Sequence, residues 1–244
     1  MERLERLDGT GWSLRYDAGG CPPGTDSLLL AGFPRLKPGV RICDLGSGSG
    51  LLALLLLRRE PSAHVTCVEI QPAFCALAEQ NRAENGLEDR MAVRCADLRD
   101  TAALPPAGSF DLVISNPPYF PAGTGASAPS PLRRSVREET SCTLEEVCRA
   151  AARLLRWGGT FCLVHRPERL ADLCVCLRSE ALEPKRLRLV QPGDRQAPSL
   201  VLLEGRLGGG RGVRVEPPLI LRPSDTPSGA AQTAGEHDRR KEAP

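Results

Sequence analysis

Val40-Arg41-Ile42-Cys43-Asp44-Leu45-Gly46-Ser47-Gly48-Ser49-Gly50-Leu51 is the stretch on which the fold turns. Its first half is a short apolar run of the kind that forms a buried strand, and its second half is rich in glycine. Leu51 to Arg59 then reads as a helix, with Pro61 as its stop. Strand, tight turn and helix in that order open a βα unit.

Downstream the same rhythm repeats. His64 to Glu69 predicts a strand, followed by a helix over 72–85 that closes at Asn85-Gly86. Met91 to Cys95 predicts a third strand, ending at Asp97, and Phe110 to Ser115 a fourth that runs into Asn116-Pro117-Pro118-Tyr119. After a polar Gly/Pro/Ser-rich loop at 121–142, Thr143-Leu144-Glu145-Glu146 is a capping-box pattern opening a helix over 143–156, which ends at Gly158-Gly159. Thr160 to His165 predicts a fifth strand, Pro167 to Ala181 a helix, and 185–191 and 198–207 two last strands. Such alternation predicts an α/β fold with a doubly wound, mostly parallel sheet. The last two strands have no room between them for a crossover helix, so they predict an antiparallel hairpin at the sheet's end.

Upstream, residues 1 to about 35 read as loop at first, through Gly9, Gly11, Gly19, Gly20 and Pro22-Pro23-Gly24. A short helix at Ser27 to Ala31 follows, with Thr25 or Asp26 as its cap. The expected organisation is an N-terminal extension (1–35) contributing to a ligand pocket, a catalytic domain (36–222) and a polar tail (223–244) expected to be disordered.

Composition sets wide bounds. With 244 residues and 41% apolar content, the chain suits one sizeable core, and a net charge of +2 neither demands nor forbids a nucleic-acid partner. The ten cysteines sit mostly in apolar runs (Cys43, Cys67, Cys95, Cys162, Cys174) and none forms a C-x-x-C pair, so core packing is expected and a metal site is not. The charged Met1 to Arg6 segment has no signal-peptide character, and Leu51 to Leu57 is too short to span a bilayer. A cytoplasmic protein with no membrane contact is expected.

The glycine turn brings a ligand close to the main chain. No Gly-Lys-Ser/Thr is present, which disfavours a P-loop. Asp44 would repel a pyrophosphate yet suits the cationic amino group of a methionine moiety, which points to S-adenosylmethionine as cofactor. Gly46, Ser47, Gly48 and Gly50 would then line it. Glu69, about 20 residues past the loop, can accept ribose hydroxyls. Asp97, with Leu98 beside it, stands where an adenine amine would lie. All three acids fall at strand carboxyl ends, where open α/β sheets bind ligands.

Asn116-Pro117-Pro118-Tyr119 is stiff, because two prolines fix two φ angles and remove two donors. Stiffness is useful if the Asn116 side-chain oxygen and the Pro117 carbonyl must be aimed at one point. An exocyclic aryl amine or an amide nitrogen is a poor nucleophile, its lone pair being delocalised. Two acceptors on its hydrogens favour a pyramidal nitrogen whose lone pair faces the methyl donor. Asn116, Pro117 and Tyr119 are therefore the candidate catalytic residues, with Tyr119 stacking on the substrate, Pro118 and Phe120 beside it, and Asn116 also bordering the cofactor.

On these elements the chain resembles the bacterial tRNA1(Val) adenine-37 N6-methyltransferases, a branch of the class I Rossmann-like methyltransferases. The particular features are Gly24-Thr25-Asp26-Ser27-Leu28-Leu29-Leu30-Ala31, Asp44 to Leu52, Ser115 to Phe120, Leu154 to Gly159, His165 to Leu170 and Pro217-Pro218-Leu219-Ile220, within about residues 10–222. The resemblance implies a seven-stranded sheet whose last strand is antiparallel, and places Thr25 and Asp26 near the methionine end of the cofactor. It implies methyl transfer to N6 of an adenine in tRNA, adenine 37 in the anticodon loop of a valine tRNA. The chain departs from the family at Val136-Arg137-Glu138-Glu139, where an acid stands for a His, and at Arg222-Pro223-Ser224-Asp225, which lacks a Tyr-Thr pair. Both departures bear on substrate contacts and neither on the cofactor.

Arg133, Arg134 and Arg137 in the loop past the Pro-Pro turn are candidate phosphate or base-stacking contacts, whereas Arg149, Arg153 and Arg156 are expected on the exposed face of helix 143–156. The alternatives are a protein-glutamine N5-methyltransferase acting on release factors, which shares the turn but carries a helical recognition domain before the core, and a non-catalytic cofactor- or RNA-binding module. A monomer is expected.

Overall fold

A computed structural model describes residues 2–7, 11–19, 23–117 and 142–221. In chain order these form β1 (Glu2–Arg6), β2 (Ser13–Asp17), α1 (Thr25–Gly32), β3 (Arg41–Leu45), α2 (Leu51–Arg59), β4 (His64–Glu69), α3 (Pro72–Glu84), β5 (Met91–Cys95) and β6 (Phe110–Ser115). Then come α4 (Leu144–Leu154), β7 (Leu155–His165), a 3-10 turn (Pro167–Arg169), α5 (Leu170–Ser179), β8 (Leu182–Gln191), β9 (Leu200–Leu207) and the short β10 (Arg214–Val215) and β11 (Leu219–Ile220). The expected tail from 223, the loop arginines Arg133, Arg134 and Arg137, and Pro118, Tyr119 and Phe120 lie outside the described residues.

β3 to β11 make one nine-stranded sheet in the order β10-β8-β9-β7-β6-β3-β4-β5, with β11 also on β8. The doubly wound α/β expectation holds: β5, β4, β3, β6 and β7 are parallel, and β9 runs antiparallel to both β7 and β8. The last two long strands do pair as an antiparallel hairpin, but β9 is inserted between β7 and β8 and is not an edge. The short β10 and β11 widen the expected seven strands to nine by adding in parallel to β8.

Side-chain alternation explains the two cores. Ile42, Leu112, Ile114, Cys162, Val164, Leu200 and Leu202 face α1 and α2. Cys43, Leu45, Val113, Phe161, Leu163, Val201 and Leu203 face α4 and α5. With both faces covered, the central strands have to be apolar throughout, which is why they read as unbroken runs. Each fully buried Leu, such as Leu54 and Leu56 on α2, contributes about 1.5–3 kcal/mol. The capping box on α4 is formed: Thr143 Oγ1 accepts from Glu146 N–H at 3.2 Å and Glu146 accepts from Thr143 N–H at 2.8 Å.

Three expectations are corrected. The N-terminal residues read as loop form an antiparallel hairpin, with Glu2 opposite Asp17 and Arg6 opposite Ser13. Thr25 and Asp26 do not cap α1: Gly24 is the cap, no side chain caps the helix, and both residues lie in its first turn. The helix expected over 143–156 stops at Leu154, because Leu155 pairs with Phe110 and begins β7. Arg156 is therefore on a strand, paired with Asp111, while Arg153 donates to the carbonyls of Pro105 and Thr101 at 3.0 Å. Arg149 alone of the three is on the exposed face of α4.

Candidate active site

Strand register decides which residues meet. The chain runs from β3 outward to β5, then returns to β6 on the other flank of β3, so the β3–β6 boundary is where strand order reverses. Asp44 stands opposite Ile114 and opposite Cys67. One rung on, Ser115 Oγ donates to the Leu45 carbonyl at 2.8 Å, locking the ends of β6 and β3 together. Asn116 lies two residues past Ile114, the partner of Asp44, and Glu69 one residue past Val68, the partner of Leu45. Asp97 lies two residues beyond Cys95, the partner of Glu69. Asp44, the glycine loop, Glu69, Asp97 and Asn116 thus share one carboxyl edge. His165, two residues past the partner of Ser115, ends β7 on the same edge; burial holds its pKa below the ordinary imidazole value.

The loop is shaped by its glycines and by Glu69. Gly46, Gly48 and Gly50 all have positive φ. At Gly50 (φ +86) a Cβ would also lie 2.8 Å from Met91 Cε, so a side chain there would strain the backbone and displace the tip of Met91. Glu69, buried, accepts from Gly48 N–H at 2.9 Å through Oε2 and from Gln71 N–H at 3.0 Å through Oε1. Each oxygen keeps a further lone pair, enough for two ribose hydroxyls.

Asp44 is the opposite case. It is fully buried (0% exposed) and neither carboxylate oxygen has a hydrogen-bond partner; the buried Ser47 hydroxyl has none either. Burial, reinforced by the negative charge of Glu69, pushes the Asp44 carboxyl up to about 8. A buried acid left open by its own chain is suited to receive a cation with N–H donors. The ammonium group of a methionyl cofactor has that chemistry, so these residues fit S-adenosylmethionine.

Asn116 is half-buried and Pro117 buried. The Asn116 amide Nδ2 donates to Ser27 Oγ, 3.0 Å away on α1. That bond brings the first turn of α1, which carries Thr25 and Asp26, to the end of β6. Asp97 is held by Arg99, whose Nη2 lies 2.6 Å from Oδ2, and this hydrogen-bonded pairing keeps its carboxyl below the ordinary range. Leu98, half-buried beside it, packs on the α4–α5 core.

Several residues of the site escaped the sequence reading. Asn81 on α3 is fully buried and binds three backbone groups: it accepts from Arg15 N–H at 2.6 Å and donates to Arg15 O at 2.9 Å and Ser49 O at 2.8 Å. It therefore pins the hairpin strand β2 to the glycine loop, with Asn85 repeating the bond to Ser13. Two asparagines four residues apart on one helix face were the available signal. Ser115 and Ser27 had none, because a serine at a strand or helix end is ordinary.

The chain matches the model of the methyltransferase small domain over residues 19–172. A tRNA1(Val) (adenine(37)-N6)-methyltransferase of Porphyromonas gingivalis is 32% identical over 206 residues, 82% of this chain and 77% of that protein. One from Pectobacterium carotovorum is 35% identical over 186 residues, 75% of this chain and 73% of that protein. Among solved structures, a predicted O-methyltransferase of Agrobacterium tumefaciens aligns with TM-score 0.66 at 23% identity, covering 81% of this chain and 88% of that one. TrmN from Thermus thermophilus aligns with TM-score 0.54 at 21% identity, covering 74% of this chain and 48% of that one. At those identities the structures speak for the fold alone.

Proposed function

Because this chain belongs to the tRNA1(Val) (adenine(37)-N6)-methyltransferase family of small-domain methyltransferases, we propose that it methylates the exocyclic N6 amine of an adenine in tRNA, with S-adenosylmethionine as donor. Adenine 37 of a valine tRNA is the substrate to test first. The observation that carries the proposal is the placement of Asn116 two residues past Ile114, the strand partner of Asp44, at the edge where the Asp44 carboxyl is left without a partner.

S-adenosylmethionine, when bound, supplies a methyl group already activated on a sulfonium. The chain's own residues bind and orient. Asp44 receives the ammonium of the methionyl end, with Thr25 and Asp26 nearby, and the backbone of Gly46, Ser47, Gly48 and Gly50 lines the donor. Glu69 accepts from the ribose hydroxyls, and Asp97 with Leu98 holds the adenine ring. Asn116 Oδ1 and the Pro117 carbonyl accept the two hydrogens of the target amine, which turns its lone pair out of conjugation and toward the donor. Tyr119, flanked by Pro118 and Phe120, stacks on the base, and Arg133, Arg134 and Arg137 contact the RNA. The amine releases one proton after transfer, so no strong base is needed and the gain comes from orientation. Residues 36–222 form the methyltransferase domain, with the 1–35 extension contributing to the cofactor pocket. With tRNA as substrate the enzyme works in the cytoplasm, as a monomer and without a metal; among the described residues no helix is long and apolar enough to cross a membrane.

The test incubates the protein with methyl-labelled S-adenosylmethionine and unmodified tRNA or, separately, release factor. Label recovered as N6-methyladenosine supports the proposal; label in protein alone overturns it in favour of glutamine methylation. Asn116→Ala should lower kcat by about 10²–10³-fold, as loss of one oriented polar group does elsewhere, while cofactor Kd stays within a few-fold. Equal loss of both would contradict the role of Asn116. Tyr119→Ala should raise the tRNA KM and slow the chemical step as well.

A further inference from the structure

A carboxamide is planar and presents an acceptor at one end and a donor at the other, and only the acceptor end can receive a hydrogen of the target amine. The proline that follows stiffens the backbone of Asn116 but says nothing about which end of its side chain points where. In the structure Nδ2 donates to Ser27 Oγ at 3.0 Å. With Nδ2 directed at α1, covalent geometry turns Oδ1 away from α1.

Both ends of this bond are held rigidly. On one side, Ser115 ties the end of β6 to Leu45. On the other, Leu30 and Ala31 of α1 are buried in the core, and the carbonyls at and just past its C-terminal end are clamped from two directions. Arg59 donates to Ala31 O and to Pro34 O, and Arg186 donates to Phe33 O at 2.7 Å. Ser27 is therefore presented by a fixed helix, 89 residues away in sequence from the side chain it contacts.

We propose that Ser27 is a positioning residue of the methyl-transfer reaction: its hydroxyl accepts from the Asn116 amide and so aims the Asn116 oxygen at the substrate nitrogen. This rests on Asn116 acting as an acceptor for that nitrogen. It also gives α1 a role in the chemical step as well as in cofactor binding, through a residue other than Thr25 and Asp26. Without the hydroxyl, the amide rotates and spends part of its time with the donor end toward the substrate, which lowers the rate without changing how the cofactor is held.

The experiment uses the full chain as wild type, Ser27→Ala and Ser27→Thr, with unmodified tRNA and labelled S-adenosylmethionine, and calorimetric binding of S-adenosylhomocysteine. Ser27→Ala should lower kcat by about tenfold, in line with the cost of a small misplacement of a reacting group. The tRNA KM and the S-adenosylhomocysteine Kd should stay within twofold, and Ser27→Thr, which keeps the hydroxyl, should recover most of kcat. A kcat for Ser27→Ala within twofold of wild type overturns the proposal. So does a loss of S-adenosylhomocysteine affinity equal to the loss of kcat, or a threonine variant no better than alanine. A wild type that labels no adenine at all overturns the acceptor role of Asn116 and this proposal together, which separates the two failures.

Discussion

Of the three charged side chains buried among the described residues, Glu69, Arg186 and Asp44, the chain treats the last two in opposite ways. Arg186 on β8 is 6% exposed and its guanidinium makes four hydrogen bonds: Nη2 lies 2.6 Å from Glu204 and 2.7 Å from Phe33 O, Nε lies 3.2 Å from Glu204, Nη1 lies 3.5 Å from Glu216, and the group stacks 3.9 Å above the Phe33 ring. Asp44 on β3 is 0% exposed and neither oxygen has a partner. A buried ion satisfied by its own chain is architecture, since it joins β8, β9 and the end of α1. A buried carboxyl left unsatisfied keeps the free protein at higher energy, and a ligand that brings donors relieves it.

The largest effect should come from breaking the satisfied ion. Arg186→Met strips Glu204 of its ion-pair partner, while Glu216 keeps Arg35 and Arg214; leaving Glu204 half-buried and unpaired should cost about 3–5 kcal/mol in denaturant unfolding. A loss under about 1 kcal/mol would mean that the cluster behaves as a surface pair. Cofactor affinity should change little in the fraction that remains folded, because the cluster sits at the far end of α1 from Ser27.

Asp44→Asn should do the reverse. Loss of a charge-assisted contact of about 1.5–3 kcal/mol raises the S-adenosylmethionine Kd by about 10–100-fold, while the free protein becomes more stable. The sign follows from the raised carboxyl. Between an unfolded pKa of about 3.9 and a folded one of about 8, the folded state holds a proton that the unfolded state has lost. Wild-type stability therefore falls as pH rises through this window and levels off above it. The advantage of Asp44→Asn should widen over the same range and then stay constant. Binding of the ammonium group needs the carboxylate, so wild-type affinity should weaken as pH drops below about 8, by up to about tenfold per unit, with one proton released per ligand bound. A flat pH profile in the wild type would remove Asp44 from the cofactor site.

The smallest effect belongs to neither class. Thr143→Ala removes a capping box at the exposed start of α4 and should cost about 1 kcal/mol, with cofactor Kd and its pH dependence unchanged. A shift in either would show that α4 is coupled to the carboxyl edge.

Much of the fold was legible because its signals are local. A strand buried on both faces has to be apolar, a glycine turn between strand and helix has few other uses, and Thr143-Leu144-Glu145-Glu146 is a cap by its own chemistry. The elements misread are those whose pairing lies far away. β1 is exposed along its length and pairs only with β2, so no apolar alternation marked it. Leu155-Arg156-Trp157 continues a helical pattern, yet Leu155 is taken into the sheet by Phe110. β9 could be recognised as a strand, but its place between β7 and β8 depends on hydrogen bonds with both.

The same division runs through the site. The sequence alone determined the inventory: an acid before the glycines, acids after the next two strands, and an asparagine before two prolines, each tied to a strand end by spacing along the chain. Tertiary structure decided the relations among them. Register brought the end of β6 beside the end of β3, side-chain packing left Asp44 without a partner while giving Arg186 four hydrogen bonds, and the docking of α1 brought Ser27 to the Asn116 amide. Residue order fixes what each group is and roughly where its strand ends. Only long-range pairing fixes which groups share a desolvated space, and it is desolvation that turns a carboxylate or an amide into a binding group.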